Sequence, residues 1–181
     1  VVRWVDGQVA RFDRFENGRK TGQVLSWHPN GTLALATTPT PDHSSSTALI
    51  WDEAGMLSSI IQTDTASSRE RHVLYSRNGL PRTVHTTVSG RFDGEFLVWN
   101  DDAEVVARGH YRDGIQDGIW ECAPHGAAKL RHDFSGPEVS GTHRNHGVND
   151  SAALLVECIS AVAPWHDKPA SNLAAINSTD E

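Results

Sequence analysis

The sequence predicts a mainly β fold: a meander of stacked antiparallel β-hairpins followed by a short C-terminal helix. Three observations carry this. Aromatic residues recur at Trp27, Trp51, Tyr75 and Trp99, a constant step of 24 residues. Each is followed by turn-forming residues: His28-Pro29-Asn30-Gly31, Asp52-Glu53-Ala54-Gly55, Ser76-Arg77-Asn78-Gly79 and Asn100-Asp101-Asp102-Ala103. Each is preceded two positions earlier by an aliphatic residue, Leu25, Leu49, Val73 or Leu97, and two positions apart in a strand means one face. A fixed step of this kind is the signature of a repeat architecture.

Taken in order, Val1 to Gly7 reads as half a unit, with Val2 and Trp4 ahead of Val5-Asp6-Gly7. The chain opens on Val1 without an initiator Met, so a processed segment or a boundary is expected upstream. Strands of about five residues should resume after each turn, at Leu33, Leu57 and Val105, with Pro81 as the exception. Asn30-Gly31 and Asn78-Gly79 are hairpin signals, since both residues tolerate positive φ. A second turn class, Asn17-Gly18, Asp93-Gly94 and Asp113-Gly114, should link one hairpin to the next. The polar stretches Thr37 to Ser46 and Thr63 to Arg69 read as mobile excursions. Gly109 to Trp120 forms a last unit, its aromatic 21 residues after Trp99, as terminal repeats are often irregular. The spacing assigns the recurring aromatics to the core, where each contributes roughly 1.5–3 kcal/mol of burial.

The pattern stops after Phe134, which sets a hairpin domain over 1–134, a linker over 135–150 and a C-terminal segment over 151–181. Asn149-Asp150-Ser151 offers an N-cap and Pro164 a stop, predicting a helix over 152–163. Leu154, Leu155, Cys158, Ile159 and Val162 make its packing face, suited to capping the sheet. Residues 165–181 read as a polar tail.

Composition narrows the chemistry. With 16 basic and 23 acidic residues the net charge is -7, which disfavours nucleic acid and favours a basic partner. No run reaches the roughly 18 apolar residues of a membrane helix. Cys122 and Cys158, 36 residues apart, fit either one disulfide or two buried thiols. No phosphate loop, dinucleotide fingerprint or nucleophile elbow is present, and no cofactor is implied. Cys122, His125, His143 and His146 have spacing that a zinc site uses, a weak candidate against a structural reading. Ser44 to Ser46 beside Asp42 and His43 lack any sign of triad geometry. The more suggestive feature is acidic: Asp52, Glu53, Asp101, Asp102, Asp113 and Asp117 should line a rim of turns. Such a rim either keeps a sheet edge soluble or docks a basic protein.

Two segments, Phe15-Glu16-Asn17-Gly18-Arg19-Lys20-Thr21-Gly22-Gln23-Val24-Leu25-Ser26-Trp27 with His28 to Leu33, and Gly109 to Trp120, resemble the MORN-type repeat. The likeness is to its second variant, found in bacterial proteins described as antitoxin-like, and it covers roughly 1–134. The middle units depart from the pattern, with Ser46 and Glu70 where Gly22 and Gly94 would align. The resemblance implies an elongated sheet of stacked hairpins whose glycines and aromatics are structural, with no catalytic residue to carry over. The expected function is a non-catalytic protein-binding module of antitoxin or immunity type, in bacterial cytoplasm or periplasm, neutralising a partner toxin or effector. The alternatives are a MORN-like scaffold associated with membrane or envelope, and a hydrolase using the histidines.

Overall fold

A computed structural model of the protein describes residues 1–123, 128–135 and 157–159. The fold is mainly β and divides into two compact units, Val1–Ser89 and Gly90–Glu181. The first holds β1 (Val2–Val5), β2 (Gln8–Glu16), β3 (Arg19–Trp27), β4 (Leu33–Pro39), β5 (Ser45–Trp51), β6 (Leu57–Asp64), β7 (Arg69–Tyr75) and β8 (Pro81–Val88). The second holds β9 (Arg91–Trp99), β10 (Val105–Arg112), β11 (Ile115–Cys122) and β12 (Leu130–Asp133). Within each unit every strand pairs antiparallel with the next, which is the expected meander. The strands β2 to β11 run to seven to nine residues, longer than the five expected.

In β4 to β7 the extra length comes from polar stretches that the sequence reads as mobile. Thr37 to Ser46 is the end of β4, a tight reversal and the start of β5. The reversal closes with Thr40 N–H donating to Ser45 O and His43 N–H to Thr40 O. Asp42 Oδ1 accepts the hydroxyls of Thr40 (2.6 Å) and Ser44 (2.9 Å) and the Ser44 amide (3.2 Å). These bonds, the Thr40 hydroxyl first, hold the Asp42 carboxyl down at about 2. Thr63 to Arg69 is likewise strand and turn, and Thr65 N–H donates to Ser44 O in the neighbouring reversal.

Two turn chemistries alternate. Asp6-Gly7, Asn17-Gly18 and Asp113-Gly114 have both residues at positive φ, the two-residue hairpin geometry. At 28–31, 52–55, 76–79 and 100–103 only the last residue is left-handed: Gly31, Gly55, Gly79 and Ala103. Asn30 and Asn78 therefore do not adopt the positive φ expected of them. A longer turn with one left-handed bulge residue needs only that position to be glycine-like. The strand opposite carries one extra residue each time, at Ala34, Ser58, Arg82 and Val106. Asp93-Gly94 is not a turn but lies inside β9; the reversal falls at Ser89-Gly90, both at positive φ.

The first unit is a single layer. All its residues lie in strands or their turns, so within the unit no helix or second sheet covers either face. Cross-strand register joins Val2, Phe12, Leu25, Ala36, Leu49, Ile60, Val73 and Val84 into one apolar ladder on one face. On the other face the adjoining ladder is Asp13, Val24, Thr37, Ala48, Ile61, His72 and His85. The apolar residues buried in this unit are Val24, Ala36, Ile61 and Val73, each on a strand flanked by two others.

The second unit has a conventional core. Phe96, Val98, Ala107, Tyr111, Trp120 and Cys122 pack with Cys158 and Ile159, with Phe92, Leu130 and Phe134 around them. Glu157, Cys158 and Ile159 are helical; the rest of the helix expected over 152–163 lies outside the described residues. A disulfide joins Cys122 to Cys158, Cα atoms 6.2 Å apart, resolving the alternatives the sequence left open.

The recurring aromatics are not the core. Trp27, Trp51, Tyr75 and Trp99 close their strands half-buried. In β9 the buried residues are Phe96 and Val98, on the face opposite Leu97 and Trp99. Among the described residues the fully buried aromatics are Trp120 and Phe96.

Candidate functional site

The acidic residues expected to form one rim fall in both units and, within the second, at opposite ends of a strand. Asp52 and Glu53 belong to the first unit, and Asp101, Asp102, Asp113 and Asp117 to the second. Within the second unit, Asp101 and Asp102 precede β10 while Asp113 follows it. An eight-residue strand separates those turns by roughly 25 Å. Several of these acids also have internal duties. Asp52 Oδ1 accepts the amides of Ala54 (3.0 Å) and Met56 (2.9 Å), capping its own turn. Asn100 does the same for Asp102 and Glu104. Asp113 pairs with Arg91 at 2.8 Å, and Asp117 with Arg112 at 2.8 Å. Glu53, Asp101 and Asp102 remain exposed at turn tips.

The weak metal candidate loses its sulfur. Cys122 is bonded to Cys158, so it supplies no thiolate, and His125, His143 and His146 lie outside the described residues. Near Ser44, Asp42 receives the serine hydroxyl directly, with no imidazole between them.

Ionic structure is concentrated on Glu121 in β11. Its carboxylate takes Lys129 Nζ at 2.8 Å and Arg108 Nε at 2.5 Å, with Arg131 Nε at 3.9 Å. The hydrogen bonds from Lys129 and Arg108 pull its pKa below the usual carboxylate range. Beside it lies a cleft of about 160 Å³ lined by Val105, Val106, Arg108, Glu121, Cys122 and Lys129. The cations here are spent on Glu121, which suits a strut between strands better than a binding pocket.

The sequence pointed to turns; the structure offers a surface. The apolar ladder of the first unit crosses eight strands, roughly 34 Å at 4.8 Å per strand. Trp27, Trp51 and Tyr75 flank it, two residues beyond Leu25, Leu49 and Val73 on the same side of their strands. Along its other flank run Thr38, Thr47, Gln62, Arg71 and Thr86, a polar row in register. Six of the ladder's eight members, Phe12, Leu25, Leu49, Ile60, Val84 and Val2, keep partial or full exposure. At the Trp27 end a cleft of about 230 Å³ is lined by Val5, Gln8, Val9, Ala10, Trp27 and His28. Adjacent turns reinforce this face: His28 Nε2 lies 2.9 Å from Trp51 O, and Asn30 Nδ2 donates to Glu53 O at 2.7 Å.

Half of that ladder was visible in the sequence as the aliphatic residue two places before each aromatic. The alternate rungs, Phe12, Ala36, Ile60 and Val84, were missed because their register depends on the bulges. Compared with known proteins, the chain matches no family model and no curated sequence.

Proposed function

We propose that the chain is a non-catalytic protein-binding module of immunity type, which neutralises a partner toxin or effector by covering it. The observation that carries this reading is the apolar ladder with its three aromatics, laid across a single-layer sheet and left half-exposed within its unit. Contiguous apolar surface rimmed by polar residues is the usual mark of a protein contact. Half-buried Trp and Tyr are the side chains that most often anchor such contacts.

We further propose that the hairpins are MORN-like repeats of 24 residues, capped by a C-terminal helix. The four extra residues opposite the aromatics, at 34, 58, 82 and 106, keep the same step as the aromatics themselves. The Cys122–Cys158 disulfide supports action in an oxidising compartment, periplasmic rather than cytoplasmic.

The test is affinity capture from source cells with the wild-type chain and with Leu49→Glu, the variant's folding being checked by its thermal midpoint. The wild type retains a stoichiometric partner whose expression alone arrests growth, and co-expression of the chain relieves the arrest. Leu49→Glu weakens capture at least tenfold. Equal capture by the two proteins removes the ladder from the interface. Binding to vesicles in flotation, with no protein partner, would favour a membrane scaffold instead.

A further inference from the structure

The ladder on the opposite face ends in two histidines. His72 of β7 and His85 of β8 are cross-strand partners with ring centroids 4.7 Å apart and planes within 10°. His72 is buried, 8% exposed, and His85 is half-buried. Its neighbours on that face of β6 are Ser59, Ile61 and Thr63, and on β8 Thr83 and Thr87 beside His85. Of these only His85 titrates. On β7 itself the face carries Leu74 and Glu70, whose Oε2 lies 3.2 Å from His72 Nε2.

We propose that the stacked His72–His85 pair is an acid-responsive latch: neutral it holds β7 to β8, and protonated it opens that pairing. Burying one imidazolium at the His72 position is unfavourable, and a second at 4.7 Å adds like-charge repulsion. Glu70 offsets part of this but is itself 43% exposed and screened by water. Burial accordingly pulls the His72 pKa below its ordinary value, against the opposing pull of Glu70. The sign follows. The folded state holds His72 neutral, whereas the open state takes up a proton near pH 6.5. The latch is closed above about pH 6.5 and weakens as pH falls below it.

The consequence reaches the other face. The rung next to His72–His85 on the same strand pair is Val73–Val84, the end of the apolar ladder. Acid therefore dismantles one end of the surface assigned to the partner. This link rests on the binding reading; the latch itself does not.

The experiment uses the full chain alone. Amide exchange of peptides spanning 69–88 is measured at pH 7 and pH 5, after correction for intrinsic rates, with ring-proton titration by NMR. The opening equilibrium of that segment should rise about tenfold or more, since one proton taken up gives about tenfold per pH unit. In a His72→Phe/His85→Phe variant the rise should vanish. Should that variant not fold, the same comparison is made with His85→Gln, which removes the repulsion and should reduce the rise. An unchanged opening in the wild type, an equal rise in the variant, or His72 titrating at or above 6.5 overturns the latch. Partner capture plays no part, so the binding proposal can fail while the latch stands.

Discussion

A hydrogen atom is all that Trp120 leaves room for at Gly109. A Cβ built there would sit 2.0 Å from indole Cδ2, because the ring lies against the β10 backbone. The ring is held by its Nε1–H, which donates to His110 O at 3.0 Å, and by Phe96 and Tyr111 at 5.7 and 4.7 Å. Gly109→Ala should therefore cost about 2–3 kcal/mol, read as a lower urea midpoint at unchanged slope. Ala103 presents the opposite case. It occupies at φ 60° the position that glycine fills in the three preceding turns. Ala103→Gly should gain up to about 1 kcal/mol, seen as a higher thermal midpoint; no gain would mean the strain is relieved locally. The sequence disclosed which turns contain glycine, but not which residues are left-handed. Asn17-Gly18 and Asn30-Gly31 are the same dipeptide, and the number of residues between paired strand ends decides their geometry.

At the scale of elements, the existence of the strands was legible and their faces were not. Phe96-Leu97-Val98-Trp99 is apolar throughout, so period-two alternation cannot say which pair is covered. What decides it is a remote segment: Cys158 and Ile159 pack on the Phe96 and Val98 side. The disulfide that pins this segment closes a span of 36 residues. Cross-linking over such a span restricts the unfolded chain by roughly 3–4 kcal/mol. Cys158→Ser, or reduction of the wild type, should lower unfolding stability by about that amount in calorimetry or urea titration. Equal stability with and without reductant would show that the apolar contacts of Ile159 alone hold the segment. Thr37 to Ser46 was misread for a related reason. Its Ser, Thr and Asp content marks loops in general, yet here Asp42 binds Thr40 and Ser44 and tightens the reversal.

For the whole molecule, the acidic balance is unevenly divided. Residues 1–89 carry nine basic and eight acidic side chains, and 90–181 carry seven and fifteen. The net charge of -7 thus says little about the unit that bears the apolar ladder. If that ladder is the contact, partner affinity should depend only weakly on salt, unlike docking on an acidic rim. The rim was the part of the site the sequence invited; the structure shows Asp52 capping its own turn and Asp113 and Asp117 in ion pairs, while Glu53, Asp101 and Asp102 stay exposed. The ladder was half legible, since its odd strands follow the aromatic step while its even strands depend on bulges no local pattern reveals.

The meander also sets how the chain reaches this state. In the first unit every strand pairs with the one made just before it, across connections of two to five residues. Closing such short loops forfeits little chain entropy, and no pairing waits for a distant segment. A nascent chain leaving the ribosome finds each docking edge already built by the hairpin that emerged ahead of it.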